Sequence, residues 1–260
     1  MKVFVLNLAR CTERMARVKA RLDALGVPFE RFEAIDEALM DDAEKHRSVN
    51  KFGWWCCSLR PISRGKIGCA LSHQSVYRKM LADDIQCACV LEDDVILSDH
   101  FPYVLARVKA AVDEKKSQVV LLFDHTDGRM DVLSSTRKFE LIPIEDSLYA
   151  EGYVLTRPAA EQLIQANYPL KVLNDIWGRW VRQGRIRLFA ASPASCTQSS
   201  IATGERTICE APFTRKDLPW GGKLWWDMRR LIGIVLDAFT GWPEMKGSLL
   251  LIGRFLTGKR

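Results

Sequence analysis

The chain opens on an apolar run, VFVLNL within residues 2–8, without polar alternation. That is the pattern of a strand buried on both faces of a parallel sheet. Thr12 then offers a helix cap, with Glu13 near the positive end of the helix. Met15, Val18, Leu22 and Leu25 recur at helical spacing until Gly26 and Pro28 stop the element. Residues 29–35 read as a second strand closing at Asp36, so a strand, a helix and a strand predict a right-handed parallel crossover. Residues 37–62 lose periodicity. Ser63 is a candidate cap for a helix reaching Ala82, with Ile67, Leu71 and Met80 among its apolar positions. Residues 86–91 predict another buried strand, 101–112 a helix and 118–123 a strand. Weaker strand patterns cover 139–144, 148–155 and 187–189, and helices are expected near Pro158 and near Asp175. This alternation predicts an α/β fold with a mostly parallel central sheet and flanking helices. No internal repeat or low-complexity segment interrupts it.

Composition adds little to that picture until charge is located. Of a net +6, residues 215–260 hold nine Lys and Arg against four acids, so the preceding 214 residues are nearly neutral. We therefore expect a main folded unit at 1–214, and a basic amphipathic tail at 215–260. In KLWWDMRRLIGIVLDAF, Trp225 and Trp226 beside Arg229 and Arg230 suit a helix lying on an anionic membrane surface, or alternatively one closing the core. A near-neutral first unit excludes nucleic acid as the expected partner. The eight cysteines have no zinc-knuckle spacing, and no signal peptide opens the sequence. Together these point to mostly buried, reduced thiols in a cytoplasmic protein, peripheral on the membrane.

The chemistry concentrates where the third strand ends. In CVLEDDVIL, three adjacent acids, Glu92, Asp93 and Asp94, follow an apolar run. Their mutual repulsion is costly unless a cation neutralises it, and hard Mg²⁺ or Mn²⁺ prefers such oxygen donors. Glu92 and Asp94 would point the same way if strand geometry persisted; a solvated turn with capping acids is the plain alternative. Asn7, Arg10, Arg14, Asp36 and Asp124 also fall at predicted strand ends, the edge where α/β sheets bind ligands. GKIGCALSH places small residues and His73 at a helix start, which permits close approach of a ligand or tight packing.

The ordered blocks LNLARCTER, FERFEAID, GKIGCALSH and CVLEDDVIL resemble glycosyltransferase family 25, with weaker echoes at LYAEGYVLTRPAA, VLNDIW and QSSI. The resemblance implies a GT-A type nucleotide-binding fold and an acid motif holding Mn²⁺ (or Mg²⁺) against the diphosphate of a UDP-sugar. On that pattern Glu92 and Asp94 are the expected metal ligands, while Asn7, Arg10, Asp36, His73 and Asp93 surround the donor. It further implies inverting transfer, most commonly of galactose from UDP-galactose, onto a lipopolysaccharide or other glycan or glycolipid acceptor. Lys66 departs from a glutamate common in the family, and the Trp54-Trp55-Cys56-Cys57 stretch has no counterpart. For the base that deprotonates the acceptor, Asp175 comes first and Glu151 second, with His73 and His125 further candidates; a helix cap is the competing role for Asp175. Two other classes stay open: a metal-dependent phosphotransferase or phosphohydrolase, and a non-catalytic nucleotide-sugar-binding relative.

Overall fold

The computed structural model describes residues 1–50, 65–123 and 138–198. The tail at 215–260, the Trp54–Cys57 stretch, Asp124, His125 and residues 199–201 of QSSI lie outside them. The central sheet is built from β1 (Lys2–Asn7), β2 (Glu30–Glu33), β3 (Cys87–Glu92), β5 (Gln118–Leu121), β6 (Glu140–Ile144), β7 (Gly152–Thr156) and β8 (Arg187–Ser192), in the order β2-β1-β3-β7-β5-β8-β6. β1 pairs in parallel with both β2 and β3, and β5 with β8, whereas β7 runs against β3 and β5, and β6 against β8. Five strands thus share one direction, and the sheet is mostly parallel with flanking helices, consistent with a GT-A-like arrangement. The apolar runs end up as expected: Val3 to Leu6, Cys87 to Leu91 and every residue of β5 and β7 are buried.

Helix α1 (Thr12–Ala24) forms the first crossover and buries Val18 and Leu22. Thr12 is its first residue rather than its cap; Cys11 occupies the cap position without a side-chain bond. The segment expected to be irregular holds a short 3₁₀ turn, Glu37–Leu39, and helix α2 (Asp42–Ser48), capped by Asp41 Oδ1 accepting from the Glu44 amide at 2.6 Å. Ser48 is the one buried residue of α2, so no apolar stripe advertised the helix.

Helix α3 (Lys66–Ala82) begins from Gly65, whose φ of 84° is left-handed. Ten of its residues are buried, because it lies between the sheet and α5 (Arg157–Asn167). At its start, a Cβ on Gly68 would sit 2.5 Å from the Ile35 carbonyl oxygen. The small residues of GKIGCALSH therefore serve close packing at Gly68. Glu37 Oε2 accepts from the Ile67 amide at 3.2 Å and Ser72 Oγ from the Ile35 amide at 2.8 Å, joining α3 to the end of β2.

Helix α4 (Phe101–Ala111) matches its expected span, and Thr156 Oγ1 caps α5. The helix expected near Asp175 is α6 (Trp177–Arg182), with Ile176 at its cap. Asp146 Oδ1 accepts from the Gly178 amide at 3.1 Å, so a second acid also meets this terminus. The pattern at 148–155 also overran the strand, which starts at Gly152. A small second sheet pairs β4 (Val95–Leu97) with β9 (Cys196–Gln198), a contact invisible from local patterning. Among the described residues, no helix is long and apolar enough to cross a membrane.

Candidate active site

Asn7 and Glu92 end β1 and β3, which run in parallel, so both arrive at one edge of the sheet. Strand geometry then stops: Asp93 and Asp94 form a turn before β4. The expectation that Glu92 and Asp94 align through strand alternation is corrected by that turn. Because β7 is antiparallel to β3, its start reaches the same edge, where the Glu92 amide donates to the Glu151 carbonyl at 2.9 Å.

The three acids have separate environments. Asp93 is held by protein groups: Asn7 Nδ2 donates to its Oδ2 at 2.7 Å and Arg14 Nη1 to its Oδ1 at 3.3 Å. Asn7, only 1% exposed, also donates to the Cys11 carbonyl at 2.9 Å and accepts from Arg31 Nε at 2.9 Å. Glu92 is different. Desolvation, then the charges of Asp94, Asp175 and Asp93, push its carboxyl well above the ordinary 4.5, with Arg14 acting the other way. Glu92, Asp94 and Asp175 are thus close enough for their charges to repel.

Asp175 comes from the segment before α6, and that segment is stapled in place. Asn174 Nδ2 donates to the Ala70 carbonyl of α3 at 2.7 Å, and its Oδ1 accepts from Asn167 Nδ2 at 3.0 Å. Trp177, fully buried, donates through Nε1 to the Tyr149 carbonyl at 2.6 Å and packs edge-on against Tyr153 with ring centroids 5.1 Å apart. Tyr149 holds a left-handed φ of 76°, an uncommon conformation for a non-glycine residue.

His73 faces this edge from α3. Its Nδ1 lies 2.7 Å from the Tyr153 hydroxyl, which is 2.8 Å from the Tyr77 hydroxyl, and its Nε2 lies 3.3 Å from Glu92 Oε1. Burial lowers His73 to about 4, against the opposing pull of Asp175. It is therefore a neutral imidazole at neutral pH. Cys69, one helical turn earlier, places Sγ 4.0 Å from the same Glu92 oxygen. Desolvation, then Glu92, Asp175 and Asp94, push its thiol up, so it is no ready nucleophile. Among the described cysteines Cys87, Cys89 and Cys196 are buried, Cys11 is half-buried and Cys69 is exposed, in keeping with mostly buried thiols.

The remaining residues separate. Arg10 forms an ion pair with Asp36, whose Oδ1 also accepts from the Ala38 amide at 3.1 Å, on the β2 side of the edge. Glu151, 3% exposed, presents its backbone to Glu92, but its charge is felt at the Cys196 thiol. Cys69, Tyr153 and Asn174 were not singled out from sequence. The Cys69/His73 spacing of four on a helix was the available signal for the first. The other two depend on tertiary contacts.

The donor set suits a hard divalent cation. Glu92, Asp94 and Asp175 offer oxygen ligands in a field that a double positive charge would relieve. Asp93 is engaged by Asn7 and Arg14.

An α/β sheet carrying carboxylates at the ends of its parallel strands is consistent with a GT-A-like fold, and comparison with known families supplies the class. Residues 1–177 match the family described as Glycosyltransferase family 25 (LPS biosynthesis protein), and the chain belongs to that family. The human protein named Procollagen galactosyltransferase 2 is 27% identical over 173 residues, covering 64% of this chain and 28% of that protein. A Glycosyltransferase 25 family member of Aedes aegypti is 32% identical over 182 residues, covering 66% and 29%. A mouse relative named Inactive glycosyltransferase 25 family member 3 is 31% identical over 110 residues, covering 41% and 19%. The chain thus matches less than a third of the length of each of these proteins.

Proposed function

We propose that this glycosyltransferase moves a hexose, galactose from UDP-galactose in the first instance, onto a hydroxyl of a lipopolysaccharide-type or other surface glycan, with inversion at the transferred carbon. The observation that carries this reading is the gathering of Glu92, Asp94 and Asp175, whose charges repel at the sheet edge, beside Asn7 and Arg14. Glu92 and Asp94 are the ligands we assign to a divalent cation, Mn²⁺ or Mg²⁺. Bound there with the donor, such an ion supplies Lewis-acid stabilisation of the leaving diphosphate. The Asn7–Asp93–Arg14 network fixes the turn that carries Asp94. Arg10 and Asp36 border the nucleotide side.

In the transfer, the acceptor oxygen bonds to the anomeric carbon as the bond to the diphosphate oxygen breaks, and the acceptor proton passes to a carboxylate. Asp175 is the residue we assign to that step, since its charge is felt at Glu92 on the acid edge. Glu151 is the weaker choice, being buried against Cys196. A neutral His73 orients Glu92. The basic tail's composition supports attachment at an anionic cytoplasmic membrane surface, where a lipid-linked acceptor resides.

Donor binding without transfer is the competing reading, favoured by the relative named inactive. The test incubates purified chain, Mn²⁺ and isotopically labelled UDP-galactose with a panel of glycan acceptors, and follows products by mass spectrometry. Acceptor-dependent gain of one hexose, lost in Asp175→Asn, supports transfer. UDP binding with no product on any acceptor favours the binding-only relative. Release of free sugar or phosphate regardless of acceptor contradicts both.

A further inference from the structure

The hard-cation carboxylates do not account for Cys69 or His73. These two residues, four apart on α3, share a helix face, and Glu92 meets them from the end of β3. Cys69 Sγ, His73 Nε2 and Glu92 Oε1 all lie within 4.8 Å of one another. Nε2 to Oε1 is 3.3 Å and Sγ to Oε1 is 4.0 Å. Zinc bound to nitrogen or oxygen at about 2.0 Å and to sulfur at about 2.3 Å, with tetrahedral angles, separates its ligand atoms by roughly 3.3–3.6 Å. The first separation already fits, and the second needs a shift of a few tenths of an ångström.

Two further features suit a metal. The Nδ1 side of His73 is occupied by the Tyr153 hydroxyl, itself held by Tyr77, which is the outer hydrogen bond that aims a ligating imidazole. A thiolate in the donor set selects zinc-like ions over Mg²⁺ and Mn²⁺.

We propose that Cys69, His73 and Glu92 form a three-ligand site for a thiophilic divalent cation of the zinc class. Glu92 also belongs to the donor-cation carboxylates. Occupancy by zinc therefore excludes the hard cation, and the protein is shut off by zinc through a residue that donor binding needs. The site stands on its own geometry; the antagonism rests on the function proposed above.

Cobalt(II), a spectroscopic stand-in for zinc, tests the site without any sugar nucleotide. Titrating the full chain should give one equivalent of thiolate-to-cobalt charge-transfer absorption, displaced by zinc. The absorption should vanish in Cys69→Ser and persist in the Cys56→Ser/Cys57→Ser double variant, which controls for other thiols. No such absorption in the wild type, or equal absorption in Cys69→Ser, overturns the site. In a second measurement, zinc-loaded wild type should bind UDP with Mn²⁺ at least about tenfold more weakly, with Cys69→Ser unaffected. Undiminished UDP binding by zinc-loaded wild type overturns the antagonism. A wild type that binds no UDP even without zinc contradicts the sugar-nucleotide reading, while the cobalt result still judges the site.

Discussion

Asp93 and Glu92 are neighbours in sequence, yet the structure treats them as opposites. Around Asp93, Asn7 and Arg14 supply donors and the carboxylate is an anchor tying the β3 turn to the end of β1. Around Glu92, desolvation and then the charges of Asp94 and Asp175 push its carboxyl up. One side of the acid edge is closed by the protein. The other holds negative charge in reserve, and stability is given up there in a way common to functional sites.

That contrast yields graded predictions. The largest effect is expected on the charged side: Asp175→Asn should lower kcat by about 10²–10⁴-fold, the usual range for a general base, with UDP–Mn²⁺ affinity within a few-fold of wild type. Steady-state kinetics beside calorimetry checks the split, and a parallel loss of UDP affinity would move Asp175 from base to ligand. On the closed side the effect should appear as stability. Asn7→Ala removes three hydrogen bonds from a buried position and leaves Asp93 paired with Arg14. It should cost about 2–3 kcal/mol, read as a fall in Tm of roughly 2–4 °C per kcal/mol.

Smaller still is the cost at the packing seam between them. Gly68→Ala places a methyl against the Ile35 carbonyl oxygen, a backbone atom that cannot swing away. Overpacking of this kind costs about 1–3 kcal/mol, and denaturant unfolding would show a lower midpoint at unchanged slope.

The smallest effect is a change of sign on the charged side. Since folding raises the Glu92 value, its favourable contribution is complete below its ordinary 4.5 and is lost as pH rises through the folded value. Metal-free Glu92→Gln should therefore melt a few degrees above wild type at pH 8, with the gain gone near pH 4. His73, held low by burial, works in the other direction. Its share is present above its ordinary 6.5 and is lost as pH falls towards about 4. His73→Gln should flatten that acid limb in a pH series of melting curves.

How far these two sides could be read in advance depended on what each residue's role is made of. β1, α1, β3 and α4 follow from unbroken apolar runs or helical spacing, which are local properties. The acid triplet stood out because three adjacent carboxylates after a buried strand are anomalous wherever they occur. Its division into anchor and reservoir was not legible, since Asp93 meets Asn7 across 86 residues of chain. Strand direction was equally hidden: β7 looks like its parallel neighbours in sequence, and only pairing makes Glu151 abut Glu92. Cys69 and His73 displayed their shared helix face openly, but the third member arrives from β3. Helix α2 lacked an apolar stripe, so capping by Asp41 was its one local mark.

The most direct measurement is calorimetric titration of UDP into the purified chain with and without Mn²⁺, beside Asp94→Asn. The account predicts Mn²⁺-dependent binding that the Asp94→Asn change abolishes. UDP binding that ignores both Mn²⁺ and Asp94, or no binding under any metal condition, would contradict it.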